Sequence, residues 1–215
     1  MKPVIIKVCG MRNGGNIRRV EQLSPDWMGF ICWPGSARNV QGVPSYLPTT
    51  CRRVGVFVNA SPEDVLERIA SFGLNLVQLH GQETPAYCRA IKERAEAEAG
   101  HPVQLIKAFA MKPDAPFPAT QAYESCCDYF LFDTYAGARA GGSGRAFDWR
   151  RLQDYQGTVP FLLSGGIGPE HLETLRQVDH PLCVGVDLNS RFEVSPALKD
   201  VPRLDAFIKA LRIIE

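Results

Sequence analysis

YFLFDTYAGARAGGSGRAFDW, residues 129–149, decides how the rest of the chain is read. Tyr129–Phe132 is an apolar run, short enough for a fully buried strand, and Asp133 places a carboxylate at its C-terminal end. Gly141-Gly142-Ser143-Gly144 follows, and glycines there let backbone N–H groups approach an anion closely. Phe147-Asp148-Trp149 then leads into a helical segment with Asp148 as its N-cap. One strand exit thus carries an acid, a loop and a phosphate cradle; the alternative is a capped turn in an ordinary glycine loop.

The flanking sequence decides between them. Seven more short apolar runs read as strands: 4–8, 27–33, 54–58, 76–79, 103–109, 159–163 and 182–186. Helical patterns separate nearly all of them. Asn13–Leu23 is one; Ser61-Pro62-Glu63-Asp64 opens another, with Val65, Ile69 and Phe72 on one face and Gly73 at its end. Thr84-Pro85 starts a third, Gly168-Pro169-Glu170 a further one, and Asp200-Val201-Pro202 the last. The proline-rich stretch 112–120 reads as a loop with at most a short helix. Eight strand–helix units in 215 residues, with no linker or composition break, point to one (β/α)8 barrel domain spanning 1–215. A doubly wound dinucleotide fold fits less well, because the first strand ends in Cys9-Gly10-Met11 and not in a GxGxxG turn.

A net charge of +1 gives no reason to expect nucleic acid or a membrane surface as partner, and no apolar run is long enough to span a bilayer. No signal-peptide pattern opens the chain. Seven cysteines, without paired CxxC spacing, suit a reducing, cytoplasmic compartment. The adjacent Cys126-Cys127 suits neither a usual disulfide nor a metal pair, and Cys32, Cys51, Cys88 and Cys183 read with them as structural.

In a barrel, all strand C-termini meet on one face. Cys9, Arg38, His80, Asp133, Gly165-Gly166, Asp187, Asn189 and Ser190 are expected there. Gly165, Gly166, Asn189 and Ser190 fall after strands seven and eight, where barrels hold phosphate, and Gly142 and Gly144 are expected to close the other side. Cys9 and Asp133 form a proton-transfer pair, provided that neighbouring charge favours the thiolate and the carboxylic acid holds its proton. Such a pair suits isomerisation beside a carbonyl or imine. Arg38 is either a clamp for a substrate carboxylate or a surface arginine, and His80 either lines the site or sits in the core.

The motifs KVCGM (7–11), GFICWPGSARNV (29–40), VGVFVN (54–59), VQLHG (77–81), LFDT (131–134), GGSGRAFDW (141–149), LSGGI (163–167) and GVDLNSRFEVSPALKD (185–200) occur in order. As a set they resemble the phosphoribosylanthranilate isomerase family of tryptophan biosynthesis, over the whole chain. The resemblance implies a cofactor-free Amadori rearrangement of a phosphosugar substrate by a monomer or homodimer. It assigns Cys9 as general base at C2′, Asp133 as general acid at the ring oxygen and Arg38 to the anthranilate carboxylate. It assigns the LSGGI glycines and the residues after GVD to the phosphate. Two motifs depart from the family pattern: GSARNV stands where many members have PKSPRYV, and Arg191 replaces a glycine after Asn189-Ser190. Arg191 either adds charge near the phosphate or points to solvent. Two other readings compete. A phosphosugar lyase or synthase would need a lysine at a strand end, and Lys7 and Lys107 lie inside strands. A ligand sensor would have no need of Cys9 and Asp133.

Overall fold

The computed structural model describes residues 5–112, 115–134 and 148–212. Eight strands form a closed, all-parallel barrel in chain order. They are β1 (Ile5–Val8), β2 (Trp27–Ile31), β3 (Arg52–Phe57), β4 (Leu76–Leu79), β5 (Gln104–Met111), β6 (Tyr129–Thr134), β7 (Phe161–Leu163) and β8 (Cys183–Leu188). β8 closes on β1 through Ile5↔Gly185 to Val8↔Leu188.

The strand ends differ from expectation where ladder pairing carries them on. Ala110↔Asp133 and Met111↔Thr134 extend β5 and β6, so Asp133 lies inside a strand rather than after it. Arg52 and Arg53 pair with Trp27 and Met28, so β3 starts two residues before Val54. β8 runs on through Asp187 to Leu188.

Helices α1 (Gly14–Glu21), α2 (Pro62–Phe72) and α3 (Pro85–Glu98) follow β1, β3 and β4. Each has the side-chain cap its sequence supplies: Asn13 accepts from Asn16 N, Ser61 from Asp64 N and Thr84 from Tyr87 N. Gly73 ends α2 in the left-handed region at φ 56°. Later connections are thinner. The helix expected after Asp148 is a 3-10 turn over Trp149–Asp154, and β7 is followed by a 3-10 turn at Pro169–His171 and the short α4 (Leu172–Arg176). Val178, expected on that helix, lies beyond its end. After β8, a 3-10 turn at Ser190–Phe192 leads into a small hairpin of β9 (Glu193–Ser195) and β10 (Leu198–Lys199), and α5 (Val201–Arg212) completes the ring.

Strand alternation makes two cores. Phe130, Phe132, Val8 and Val186 face the helices, while Leu131, Leu162, Val54, Val56 and Cys9 face inward. β8 keeps Asp187 on the inner side through a bulge. Phe161 pairs with Cys183 and Leu162 with Gly185, which leaves Val184 as the extra residue and shifts the alternation by one. Among the described residues no helix is long and apolar enough to cross a membrane.

Candidate active site

A cleft opens at the C-terminal end of the strands. Cys9, Arg38, His80, Asp133, Gly165, Gly166, Asp187, Asn189 and Ser190 all line it, delivered by the ends of β1, β2, β4, β6, β7 and β8 or the loops after them. Gly142 and Gly144 lie outside the described residues. Ile31, Trp33, Val56 and Val58 add an apolar wall on the side of β2 and β3.

Cys9 is 3 % exposed, and its thiol fits because β2 carries glycine opposite it: a Cβ on Gly29 would lie 2.7 Å from the sulfur. Gly10 then takes φ +77°, and a Cβ there would meet Asn189 Oδ1 at 2.7 Å.

Lys7, the residue that the sequence reading set aside, stands beneath the cleft, fully buried. Its Nζ donates to Gln78 Oε1 at 2.7 Å and to Asp187 Oδ1 at 3.0 Å. Burial opposes charge on Lys7, but Asp187 and Cys9 outweigh it and hold the ammonium above its ordinary range. Burial also pushes the Cys9 thiol up, against the pull of Lys7 and Lys199. The expected thiolate is therefore not the resting form of Cys9. Apolar surroundings win, and Lys7 is the charge that makes the thiolate reachable.

Lys7 also orients the opposite wall. An ammonium only donates, so Gln78 turns its Oε1 to Lys7 and its Nε2 to His80 Nδ1, 2.7 Å away. An amide nitrogen only donates, so His80 Nδ1 accepts and the ring proton sits on Nε2. That proton faces Asp133 Oδ2 at 3.2 Å. The line Lys7–Gln78–His80–Asp133 crosses the barrel from the foot of the Cys9 wall to the β6 carboxylate. Gln78 stands inside the VQLHG motif, but an amide within an apolar strand gives no sign of the charge that will meet it.

Arg38 does line the cleft, yet its fork is already engaged. Nε donates to Glu193 Oε1 at 2.9 Å, and Nη2 donates to Oε2 at 2.7 Å. Glu193 also receives Lys199 Nζ at 2.7 Å, and Lys199 reaches Asn189 Oδ1 at 2.7 Å. Burial raises the Glu193 carboxyl, but Arg38 and Lys199 together hold it below its ordinary value. Arg38 thus presents to the cleft the part of its guanidinium outside this fork. Glu193 was legible only as a letter in the last motif; its partner lies 155 residues away.

Gly165 and Gly166 take φ 93° and 70°, so the turn after β7 bends its backbone into the cleft beside Asn189 and Ser190. Ser164 Oγ lies 3.3 Å from Asp187 Oδ2 and ties this turn to β8. Arg191 pairs through Nη2 with Glu170 Oε1 at 3.3 Å, which joins the loops after β7 and β8. Lys107 is excluded as a strand-end nucleophile, since its Nζ is buried against Glu83 Oε2 at 3.1 Å and three backbone carbonyls outside the barrel lumen.

With this geometry in view, residues 6–210 match the family model described as N-(5'phosphoribosyl)anthranilate (PRA) isomerase. The N-(5'-phosphoribosyl)anthranilate isomerase of Phocaeicola vulgatus is 50 % identical over 209 residues, covering 97 % of this chain and 98 % of that one. Monomers of a dimeric phosphoribosylanthranilate isomerase from Thermotoga maritima superpose with a TM-score of 0.77 at 28 % identity, covering 98 % of this chain and 99 % of that one. A phosphoribosylanthranilate isomerase in complex with reduced 1-(o-carboxyphenylamino)-1-deoxyribulose 5-phosphate superposes with a TM-score of 0.73 at 29 % identity, covering 97 % and 98 %. Matched to the family model over residues 6–210 and half identical to a relative along nearly its whole length, the chain belongs to the N-(5'-phosphoribosyl)anthranilate isomerase family.

Proposed function

We propose that this chain, acting as one barrel domain over 1–215, isomerises N-(5-phosphoribosyl)anthranilate to 1-(2-carboxyphenylamino)-1-deoxyribulose 5-phosphate in tryptophan biosynthesis. The observation that carries the reading is the facing of Cys9 and Asp133 across one cleft, with Lys7, Gln78 and His80 connecting the two walls.

Asp133 protonates the furanose ring oxygen, and the C1′–O bond breaks as the anilino nitrogen forms a C1′=N iminium. His80 Nε2–H holds Asp133 Oδ2, which leaves Oδ1 to carry the proton to the ligand. Cys9, as thiolate, takes the C2′ proton, and those electrons neutralise the iminium to give an enolamine. Protonation at C1′ and loss of the C2′ hydroxyl proton then give the ketone. Atoms and electrons balance within the substrate, and no redox partner is required. Lys7 compensates the charge on Cys9 as its proton leaves.

Binding follows the same division. The phosphate sits against the Gly165-Gly166 turn with Asn189, Ser190 and, from outside the described residues, Gly142 and Gly144. The aromatic ring lies on Ile31, Trp33, Val56 and Val58, and Arg38 meets its carboxylate. The chain acts as a monomer or a homodimer. Seven unpaired cysteines suit the cytoplasm. Turnover of freshly prepared substrate, followed by loss of anthranilate fluorescence, tests the reading. Rapid turnover by the wild type, with Cys9→Ser and Asp133→Asn each reduced at least about 10³-fold, is expected. Binding of a product analogue without turnover by the wild type would refute it.

A further inference from the structure

Tertiary packing assembles a cysteine cluster that is invisible in the chain order. Cys88 lies on the first turn of α3, and Cys126 and Cys127 lie in the turn before β6. Their three sulfurs come within 4.8 Å of one another, and the residues are 0 %, 1 % and 6 % exposed. The adjacent pair Cys126-Cys127 could not make a site alone; the third sulfur arrives from a helix 38 residues earlier (126 − 88).

We propose that Cys88, Cys126 and Cys127 form a tri-thiolate site for a soft d10 divalent cation of the zinc group, separate from the isomerase cleft. The geometry is near what such an ion requires. Three sulfurs at bonding distance from one ion, about 2.3 Å, stand about 3.8–4.0 Å apart, so each thiol moves by only a few tenths of an ångström to about half an ångström. The Tyr123 carbonyl oxygen accepts from the Cys126 and Cys127 N–H groups at 3.1 and 3.0 Å and from the Cys126 thiol at 3.3 Å, which holds the two sulfurs of the turn toward Cys88.

Charge selects the ion. Lys107 is balanced by Glu83, so three buried thiolates leave a net charge of −1 with a divalent ion and −2 with a monovalent one. Access is short, because Ser125 and Arg89 beside the cluster are exposed and the segment between Tyr123 and Cys126 is a single turn. The ion would tie α3 to the start of β6.

Cd2+ is the probe, with reduced full-length protein and Cys9→Ser as background so that the cleft thiol cannot compete. One equivalent is expected to bind, with an ultraviolet thiolate-to-cadmium absorption for three sulfurs, protection of three thiols from alkylation and a rise in Tm. Affinity rises with pH as three thiol protons are displaced, and Zn2+ competes. Cys88→Ala and Cys127→Ala, each checked for native circular dichroism, lose the absorption and the Tm shift, while Cys183→Ala keeps both. Retention of the absorption in Cys88→Ala or Cys127→Ala, or its absence in the background protein, overturns the proposal. If both alanine variants fail to fold, the count of alkylation-protected thiols in the background protein decides, three supporting and fewer refuting. None of these readouts uses turnover, so failure leaves the isomerase reading untouched.

Discussion

His80 Nδ1 accepts a hydrogen bond from Gln78 Nε2 at 2.7 Å, and that bond, not the histidine's contact with Asp133, sets which ring nitrogen faces the cleft. The amide owes its orientation in turn to the buried Lys7 ammonium at its other end.

The first prediction concerns this tautomer. In 15N-resolved NMR spectra, His80 is expected to carry its proton on Nε2. Gln78→Met removes both of the amide's bonds and is expected to mix the tautomers and lower kcat by about tenfold, with KM little changed. A wild-type ring protonated on Nδ1 instead would disprove the arrangement.

Lys7→Met tests the charge beneath Cys9. The Cys9 thiol already lies above its usual range, and loss of the cation raises it further. The acid-side limb of kcat/KM, which rises with formation of the thiolate, is expected to shift to higher pH, with a loss of about 10²-fold near neutrality. Stability falls as well, by about 3 kcal/mol, because Asp187 is left charged and buried without its partner. The rate of Cys9 alkylation against pH separates the two effects: an unmoved alkylation profile would show that Lys7 is only structural.

Glu193→Gln tests how Arg38 is held. The variant keeps the shape but loses the charge that both Arg38 and Lys199 contact. KM is expected to rise about tenfold with kcat changed less, since a loosened guanidinium loses its fixed approach to the ligand carboxylate. Lys199, buried and already held below its ordinary range chiefly by burial, loses its carboxylate partner. A fall in kcat alone would place Glu193 in the chemistry instead.

Glu21 makes a prediction away from the cleft. Its carboxylate accepts from the Tyr46 hydroxyl, the Thr49 and Thr50 N–H groups and the Thr50 hydroxyl. Burial raises its pKa, but these donors prevail and bring it to about 2, from an ordinary 4.5. Because the folded value is depressed, the stabilisation is fully present above pH 4.5 and is lost as pH falls towards 2. Glu21→Gln is therefore expected to cost about 2 kcal/mol at neutral pH and to flatten the stability profile in that acid range, measured by urea unfolding. Parallel profiles for the two proteins would refute it.

Much of this was legible in the chain because it depends on local chemistry. Ser61, Thr84 and Gly73 cap their helices as their residue types require. The β-branched runs became strands, and the groups at their ends came to one face. The thin helices after β6 and β7 were harder to read, since an apolar spacing such as Leu172 and Leu175 does not show how few turns will form. The strand ends of β6 and β8 were missed by a residue or two, because ladder pairing with a neighbour sets them.

The sequence by itself determined the eight-unit barrel and the placing of Cys9 and Asp133 at its C-terminal mouth, because hydrophobic period and strand-end position are properties of short stretches. Only the tertiary structure decided that Lys7 charges the foot of the cleft, that Gln78 orients His80, that Glu193 holds Arg38 and that Cys88 meets Cys126 and Cys127. Except for Gln78 and His80, two residues apart on one strand end, these are pairings of groups tens to well over a hundred residues apart, and burial, which determines what such a pairing is worth, exists only once the barrel has closed.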